Sequence, residues 1–241
     1  MPTNEHLSKQ YDIDLDGLRS LVLAMGGLVE SQIRAALDAF DTGDMALADR
    51  VIRADQEVDA YEISIDQSCA HVIARRQPAA GDLRMILAII KTVTDLERAG
   101  DEAEKIARMS KSIHSGDRAP AHRLPQIRHA ADIAVGMLRQ SLDAFARLDA
   151  AAATKAVHAD AAIDDEFRGI LRQLITFMME DPRTISTALE IIWVAKAIER
   201  IGDHAKNMAE YVIYVVEGTD VRHTGLGLER KRDEPHGEGA G

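Results

Sequence analysis

Apolar and small residues recur along this chain at alternating intervals of three and four positions, which is the pattern of amphipathic helices packed in a bundle. In the segment 45–76, for example, Val51, Val58 and Ile65 lie on one such stripe. Prolines and turn residues fall between the periodic segments, so no stripe is interrupted. The pattern predicts six long helices, at about 7–40, 45–76, 82–113, 126–147, 150–179 and 183–217.

Composition and charge narrow the class of protein. The 241 residues are 46% apolar but only 4% aromatic, which favours an all-α fold over a β-sandwich or barrel. The formal charge of −11 argues against nucleic-acid binding, and no apolar run is long enough for direct insertion into a membrane. The single cysteine, Cys69, cannot form an internal disulfide, and the first residues lack the pattern of a signal peptide. The expected compartment is therefore the cytoplasm.

An internal repeat divides the chain. Residues 37–59 align without a gap on residues 142–164, at an offset of 105, and ten of the 23 aligned positions are identical. Beyond the hairpin tips the offset becomes 102, where 97–101 matches 199–203. Two three-helix units of common origin explain both offsets.

This repeat predicts two tandem three-helix bundles and a boundary for each part of the chain. The glycine-rich end has few apolar residues to bury, so we predict that it is mobile. The predicted parts are a first three-helix repeat at 1–114, a linker at 115–125, a second repeat at 126–217 and a mobile tail at 218–241.

Four pairs of acidic residues, each spaced i, i+4, are kept at equivalent positions of the two repeats. The spacing places both carboxylates of a pair on one helix face, where like charges repel. If the second and third helices of each repeat form an antiparallel hairpin, its two acid pairs lie level with each other. The pairs are Asp55 and Asp59, Glu97 and Asp101, Asp160 and Asp164, and Glu199 and Asp203.

Clustered carboxylates without cysteine favour hard cations such as Mg²⁺, Mn²⁺, Ca²⁺ or iron, whose charge would relieve this repulsion. The alternative is a solvated acidic face in which Arg98 and Arg200 serve as counterions. His158 and His204 adjoin two of the acids but have no histidine counterpart in the first repeat, so we interpret them as surface residues. The two motif glycines, at 100 and 202, would let a neighbouring backbone approach closely.

Several longer stretches carry a resemblance to a known family. With the four acid pairs, they make residues 7–224 closely similar to the PhoU family of phosphate-transport accessory regulators. The stretches are Arg75-Arg76-Gln77-Pro78, Gly81-Asp82-Leu83-Arg84, Asp95-Leu96-Glu97-Arg98-Ala99-Gly100-Asp101-Glu102, Leu171-Arg172-Gln173-Leu174, Met178-Met179-Glu180-Asp181 and Ile198-Glu199-Arg200-Ile201-Gly202-Asp203.

The resemblance implies a cytoplasmic homodimer that reaches the inner membrane only through partners. Those partners are the ATPase subunit of a phosphate-specific ABC transporter and a sensor histidine kinase. When phosphate is plentiful, such a protein keeps the kinase from switching on the phosphate-starvation regulon and restrains phosphate uptake. It also implies multinuclear clusters of divalent or trivalent metal ions (Mg, Mn, Fe or Zn) on the eight paired acids.

Two other functions stay open at this point, a metal-dependent phosphohydrolase and a metal-binding structural scaffold. A ferritin-like oxidase is disfavoured because neither repeat contains the Glu-x-x-His pair that it needs. The sequence also contains no nucleophile and base pair, Walker motif or phosphate-cradling glycine loop. We therefore predict no catalytic and no organic-cofactor residues, and a protein that is not an enzyme.

Overall fold

The computed structural model describes residues 9–76, 78, 80–115 and 124–221. These residues form six long helices and a short 3₁₀ turn at Pro182–Thr184, with no strand among them. The prediction of an all-α fold built from two repeated three-helix bundles is confirmed. The helices are α1 (Lys9–Thr42), α2 (Met45–Arg76), α3 (Ala80–His114), α4 (Pro125–Arg147), α5 (Ala150–Glu180) and α6 (Ile185–Glu217).

The same capping chemistry starts the second helix of each repeat. The Asp44 carboxylate accepts a hydrogen bond from the backbone N–H of Leu47 (2.9 Å) at the start of α2. Asp149, its counterpart at offset 105, accepts from the N–H of Ala152 (2.9 Å) at the start of α5. Aspartate at this position satisfies a donor that the first helical turn leaves unpaired. The repeat therefore preserves the signal that begins the helix.

The residue before each cap has a left-handed backbone. Gly43 has a φ of 72° and its counterpart Leu148 a φ of 52°. We expect Gly43→Ala to destabilise the protein by about 1–2 kcal/mol, because a Cβ is disfavoured in this conformation. The new Cβ would also lie 2.8 Å from Cδ2 of His114. Urea unfolding measures the change.

The control is Gly17→Ala, on the exposed side of α1. A Cβ at Gly17 meets nothing within 4 Å. Because alanine favours a helix over glycine by about 1 kcal/mol, this variant should be more stable than the original chain. Equal effects of the two substitutions would contradict the role given to the turn.

The helices within each repeat pack against one another, and the two repeats meet along α3 and α6. These central helices are antiparallel, since Ser112 near the end of α3 donates to Glu190 near the start of α6 (2.6 Å). At the opposite end, Arg84 of α3 lies beside Gly218, which follows α6. Each central helix therefore buries one side against its own repeat and another against the other repeat.

Some predictions fall outside the described residues. They include most of the predicted linker, at 116–123, and most of the predicted mobile tail, at 222–241. The proposed domain boundaries thus stay predictions. Within the described part of the chain, no helix is both long and apolar enough to cross a membrane.

Candidate metal sites on the two hairpins

The hairpin of α2 and α3 brings the four predicted acids of the first repeat together. Carboxylates from both helices are close enough to raise one another's pKa. Two further acids join them, Glu62 from α2 and Glu104 from α3. The first acidic cluster is defined as Asp55, Asp59, Glu62, Glu97, Asp101 and Glu104.

A third helix, α1, places Gln32 beside this cluster. The side chain is only 4% exposed, and its Nε2 donates to Oδ1 of Asp55 (3.1 Å). A Cβ added at Gly100 would lie 3.2 Å from the Gln32 Oε1 and 3.6 Å from the Asp55 Oδ1. The bare glycine therefore admits side chains from α1 and α2, rather than the neighbouring backbone that the sequence predicted.

Burial is the main cause of the raised pKa values in the first acidic cluster. Burial, helped by Asp101 and Glu62, raises the pKa of Glu97 to about 7. The pKa values of Asp55 and Asp101 also rise, again chiefly through burial. Within the described residues, no Lys, Arg or His forms an ion pair within 4.0 Å of the four predicted ligands. Glu104 pairs with Arg108, but the four predicted ligands concentrate negative charge without an ion pair among the described residues.

We expect Glu97→Gln to stabilise the protein in the presence of a chelator at pH 8. The pKa of Glu97 is raised in the folded state, so the folded protein holds the proton more tightly and loses stability as the pH rises from about 4.5 to about 7. Removing this charge should raise Tm by about 2–4 °C at pH 8, which corresponds to about 1 kcal/mol after a discount for solvent screening. At pH 4.5 the change should be below about 1 °C, because Glu97 is then protonated in the folded state.

The matched control is Glu57→Gln, an exposed glutamate of α2 outside the cluster. It should change Tm by less than about 1 °C at either pH, as exposed substitutions usually do. If Glu97→Gln raises Tm over the original chain by no more at pH 8 than at pH 4.5, the destabilising charge assigned to Glu97 is contradicted.

The hairpin of α5 and α6 also gathers acids, but lysines neutralise part of their charge. Burial, followed by Glu199 and Asp160, raises the pKa of Asp203. Lys206 donates to Asp160 (2.6 Å), and Lys196 pairs with Glu199 (2.6 Å). The second acidic cluster is defined as Asp160, Asp164, Glu199 and Asp203.

Asp164 pairs with Arg168, one turn further along α5 (3.6 Å). Gly202 faces Ile163, whose Cδ1 would lie 2.4 Å from an added Cβ. Here too the motif glycine accommodates a side chain of the partner helix and not its backbone.

The interface between α3 and α6 contains polar residues that sequence reasoning misjudged. His204 is buried, so its interpretation as a surface residue is wrong. Its Nδ1 donates to Asp95 (2.8 Å), a residue that the sequence analysis did not single out. Arg200 pairs with the buried Glu102 (3.0 Å), in place of the neighbouring motif acids. These residues connect the two repeats and do not belong to either acidic cluster.

The residue types of the first acidic cluster suit a hard cation, since carboxylate and carboxamide oxygens are its preferred ligands. As the side chains stand, no three His, Cys, Asp or Glu residues within the described ranges are close enough to hold a metal ion. A bound cation would therefore require the carboxylates to rotate towards it. Metal binding at the eight predicted acids stays a prediction.

The chain is similar to known proteins along most of its length. The family model described as the PhoU domain matches residues 22–110 and 127–212. A PhoU homologue of the phosphate-specific transport system from Pseudomonas putida is 47% identical over 232 residues, covering 96% of this chain and 90% of the relative. The PhoU accessory protein of Escherichia coli K12 is 42% identical over 222 residues, covering 92% and 91% respectively.

Solved structures agree with these relatives. The crystal structure of PhoU from Pseudomonas aeruginosa has a TM-score of 0.83 at 46% identity, and the match covers 87% of this chain and 100% of that one. The phosphate transport system regulatory protein PhoU from Streptococcus pneumoniae has a TM-score of 0.81 at 26% identity, covering 88% and 99%.

Tandem three-helix repeats with equivalent acid pairs define a class of helical-bundle protein that carries an acidic cluster on the hairpin of the second and third helices of each repeat. The family model covers both repeats, and the relatives match over nearly their whole length. This chain belongs to the PhoU family.

Proposed function

We propose that this chain regulates phosphate homeostasis as a non-enzymatic adaptor between a phosphate-specific ABC transporter and a sensor histidine kinase. The observation that carries the proposal is the match, over 90% or more of both chains, to relatives named phosphate-specific transport system accessory proteins. A solved relative is also named a phosphate transport system regulatory protein. These names support a role in phosphate transport, and the adaptor mechanism is our extension of them.

The surface of the helical hairpins supports contact with partner proteins. Leu87 on α3 and Leu189 on α6 occupy equivalent positions of the two repeats, and both are exposed. Trp193, one turn beyond Leu189, is 64% exposed. Because α3 and α6 are antiparallel, Leu87 lies at the opposite end of the bundle from Leu189 and Trp193. The bundle therefore exposes apolar side chains in two separate places, and such exposure marks contact surfaces. In the proposed mechanism, one surface binds the transporter ATPase subunit and another binds the kinase on the cytoplasmic side of the membrane.

Differential binding would couple the two partners. If the adaptor binds one state of the transporter more tightly than the other, the state of the transporter determines how much adaptor engages the kinase. With phosphate plentiful, the engaged adaptor holds the kinase in its repressing state and restrains uptake. The proposal also includes a homodimer and metal ions bound at the two acidic clusters.

A reporter strain tests the regulatory role. A bacterium that lacks its own PhoU and carries an alkaline phosphatase reporter receives either this gene or an empty vector. In phosphate-rich medium we expect this gene to repress the reporter. Unchanged high output, with the protein expressed and folded, would contradict the adaptor function in that host.

Two assays on the purified chain test the phosphohydrolase alternative and the proposed homodimer. A phosphatase assay with added Mn²⁺ or Mg²⁺ should give no turnover, whereas metal-dependent turnover would favour the phosphohydrolase. Analytical ultracentrifugation should give about twice the chain mass of 26.4 kDa. A species of single-chain mass would contradict the homodimer.

A further inference from the structure

An unsatisfied oxygen lies beside the first acidic cluster. The amide group of Gln32 is oriented by its donor end, because Nε2 points to two acceptors, the Val51 carbonyl (3.5 Å) and Asp55. The opposite atom, Oε1, is buried and accepts no hydrogen bond from any described residue. A buried oxygen without a donor is costly for the folded state and calls for an explanation. A cation ligated by this oxygen would supply one.

The second repeat replaces this oxygen and two of the acids. At offset 105, Gln32 corresponds to the buried Met137, whose thioether is a poor ligand for hard cations. The equivalent of Glu62 is Phe167, and the equivalent of Glu104 is Lys206. The two repeats have thus diverged at the positions that surround the shared acid pairs.

Two lysines of the second repeat form ion pairs with predicted ligands. Lys206 holds Asp160, while Lys196 holds Glu199 and lies over the ring of Phe167 (5.5 Å to its centre). The first repeat has Thr94 in place of Lys196. A cation entering the second acidic cluster must therefore displace two ammonium groups, although Oε2 of Glu199 is buried and accepts no hydrogen bond from any described residue.

We propose that the two clusters bind cations unequally, with the first acidic cluster as the tighter site and the Gln32 Oε1 as one of its ligands. The ligand is a hard divalent cation such as Mn²⁺ or Mg²⁺. This inference rests on the metal-binding part of the proposed function and specifies it. Gln32 Nε2 keeps Asp55 in place, while the oxygen of the same amide faces the cation. The second acidic cluster binds the same ion more weakly because of Lys196 and Lys206.

Mn²⁺ titration of the full chain tests this inequality. Protein freed of metal by EDTA dialysis is titrated at pH 7.5, with calorimetry for affinity and electron paramagnetic resonance for free Mn²⁺. We expect a tighter and a weaker class of sites. Gln32→Met, which introduces the residue of the second repeat, should weaken the tighter class by about 10-fold or more and leave the weaker class unchanged.

A reciprocal variant tests the role of the lysines without altering the core. Lys206→Glu introduces the residue of the first repeat on the surface of α6 and should strengthen the weaker class by about 10-fold. Gln67→Met, an exposed substitution on α2 beyond the cluster, is the matched control and should change neither class. Circular dichroism and melting in EDTA confirm that each variant is folded.

The possible outcomes separate this inference from the proposed function. No Mn²⁺ uptake by the original chain at millimolar concentration would overturn this inference together with the metal-binding part of the function, while the reporter assay still decides the adaptor role. Two equal classes, or folded Gln32→Met with undiminished tight binding, would overturn this inference alone. A Lys206→Glu variant with an unchanged weaker class would overturn the role given to the lysines.

Discussion

Replacing His204 by alanine is expected to lower the free energy of unfolding by about 3 kcal/mol. The imidazole Nδ1 donates to Oδ1 of Asp95, which is only 3% exposed and lies between α3 and α6. Without the imidazole, Oδ1 of Asp95 would still accept one hydrogen bond, from Nδ2 of Asn207 (3.2 Å). A carboxylate buried with too few partners is strongly destabilising, so the loss exceeds that of an average substitution. Urea unfolding at pH 7.5 with a chelator present measures it.

The control is His158→Ala, a partly exposed histidine of α5. We expect it to cost less than about 0.5 kcal/mol. The double variant Asp95→Asn and His204→Ala should be less destabilised than the sum of the single variants, because the buried charge is then absent. A loss below about 1 kcal/mol for His204→Ala would show that the pair does not hold the repeats together.

The six helices could be predicted because each segment carries an uninterrupted apolar stripe and ends near a turn signal. The second buried side of each central helix could not be predicted, because it is not apolar throughout. On α3 this side includes Asp95 and Glu102, both of which are buried. If each helix is assumed to have a single apolar stripe, polar residues at such positions are predicted to lie on the surface. For this reason His204 was wrongly predicted to be exposed. The packing of one repeat on the other is a tertiary effect that periodicity within one helix does not encode.

The sequence predicts the part of the candidate site that depends on how the two helices of the hairpin align. Equal distance from the hairpin tip placed Asp55 and Asp59 level with the acids of α3, and the structure brings these four together. The contributions of Gln32 and Lys206 depend on a third helix and on flanking positions, which a five-residue motif does not include. Position-by-position comparison of the two repeats, extended beyond the motifs, would have found both.

Neutralising the four predicted ligands of the first repeat together should abolish its cation binding. The variant is Asp55→Asn, Asp59→Asn, Glu97→Gln and Asp101→Asn. Removal of a single outer-shell partner weakens metal binding by about 10- to 100-fold, so loss of four carboxylates should exceed about 100-fold. Metal analysis after dialysis against Mn²⁺, together with calorimetry, measures the loss. Undiminished metal content would refute the ligand assignment.

The same variant should be more stable than the original chain in a chelator at pH 8, and this opposite effect makes the experiment decisive. The amides keep the size of the acids while removing their charges. Burial first, and repulsion between the acids second, raises the pKa values of Asp55, Glu97 and Asp101, so the folded state gains when these charges are absent. Lost binding with a raised Tm therefore identifies a cation site, since an unfolded protein would lose both. The matched control neutralises the second acidic cluster in the same way. It should keep the tighter class of sites, and it should gain less stability because its lysines already balance Asp160 and Glu199.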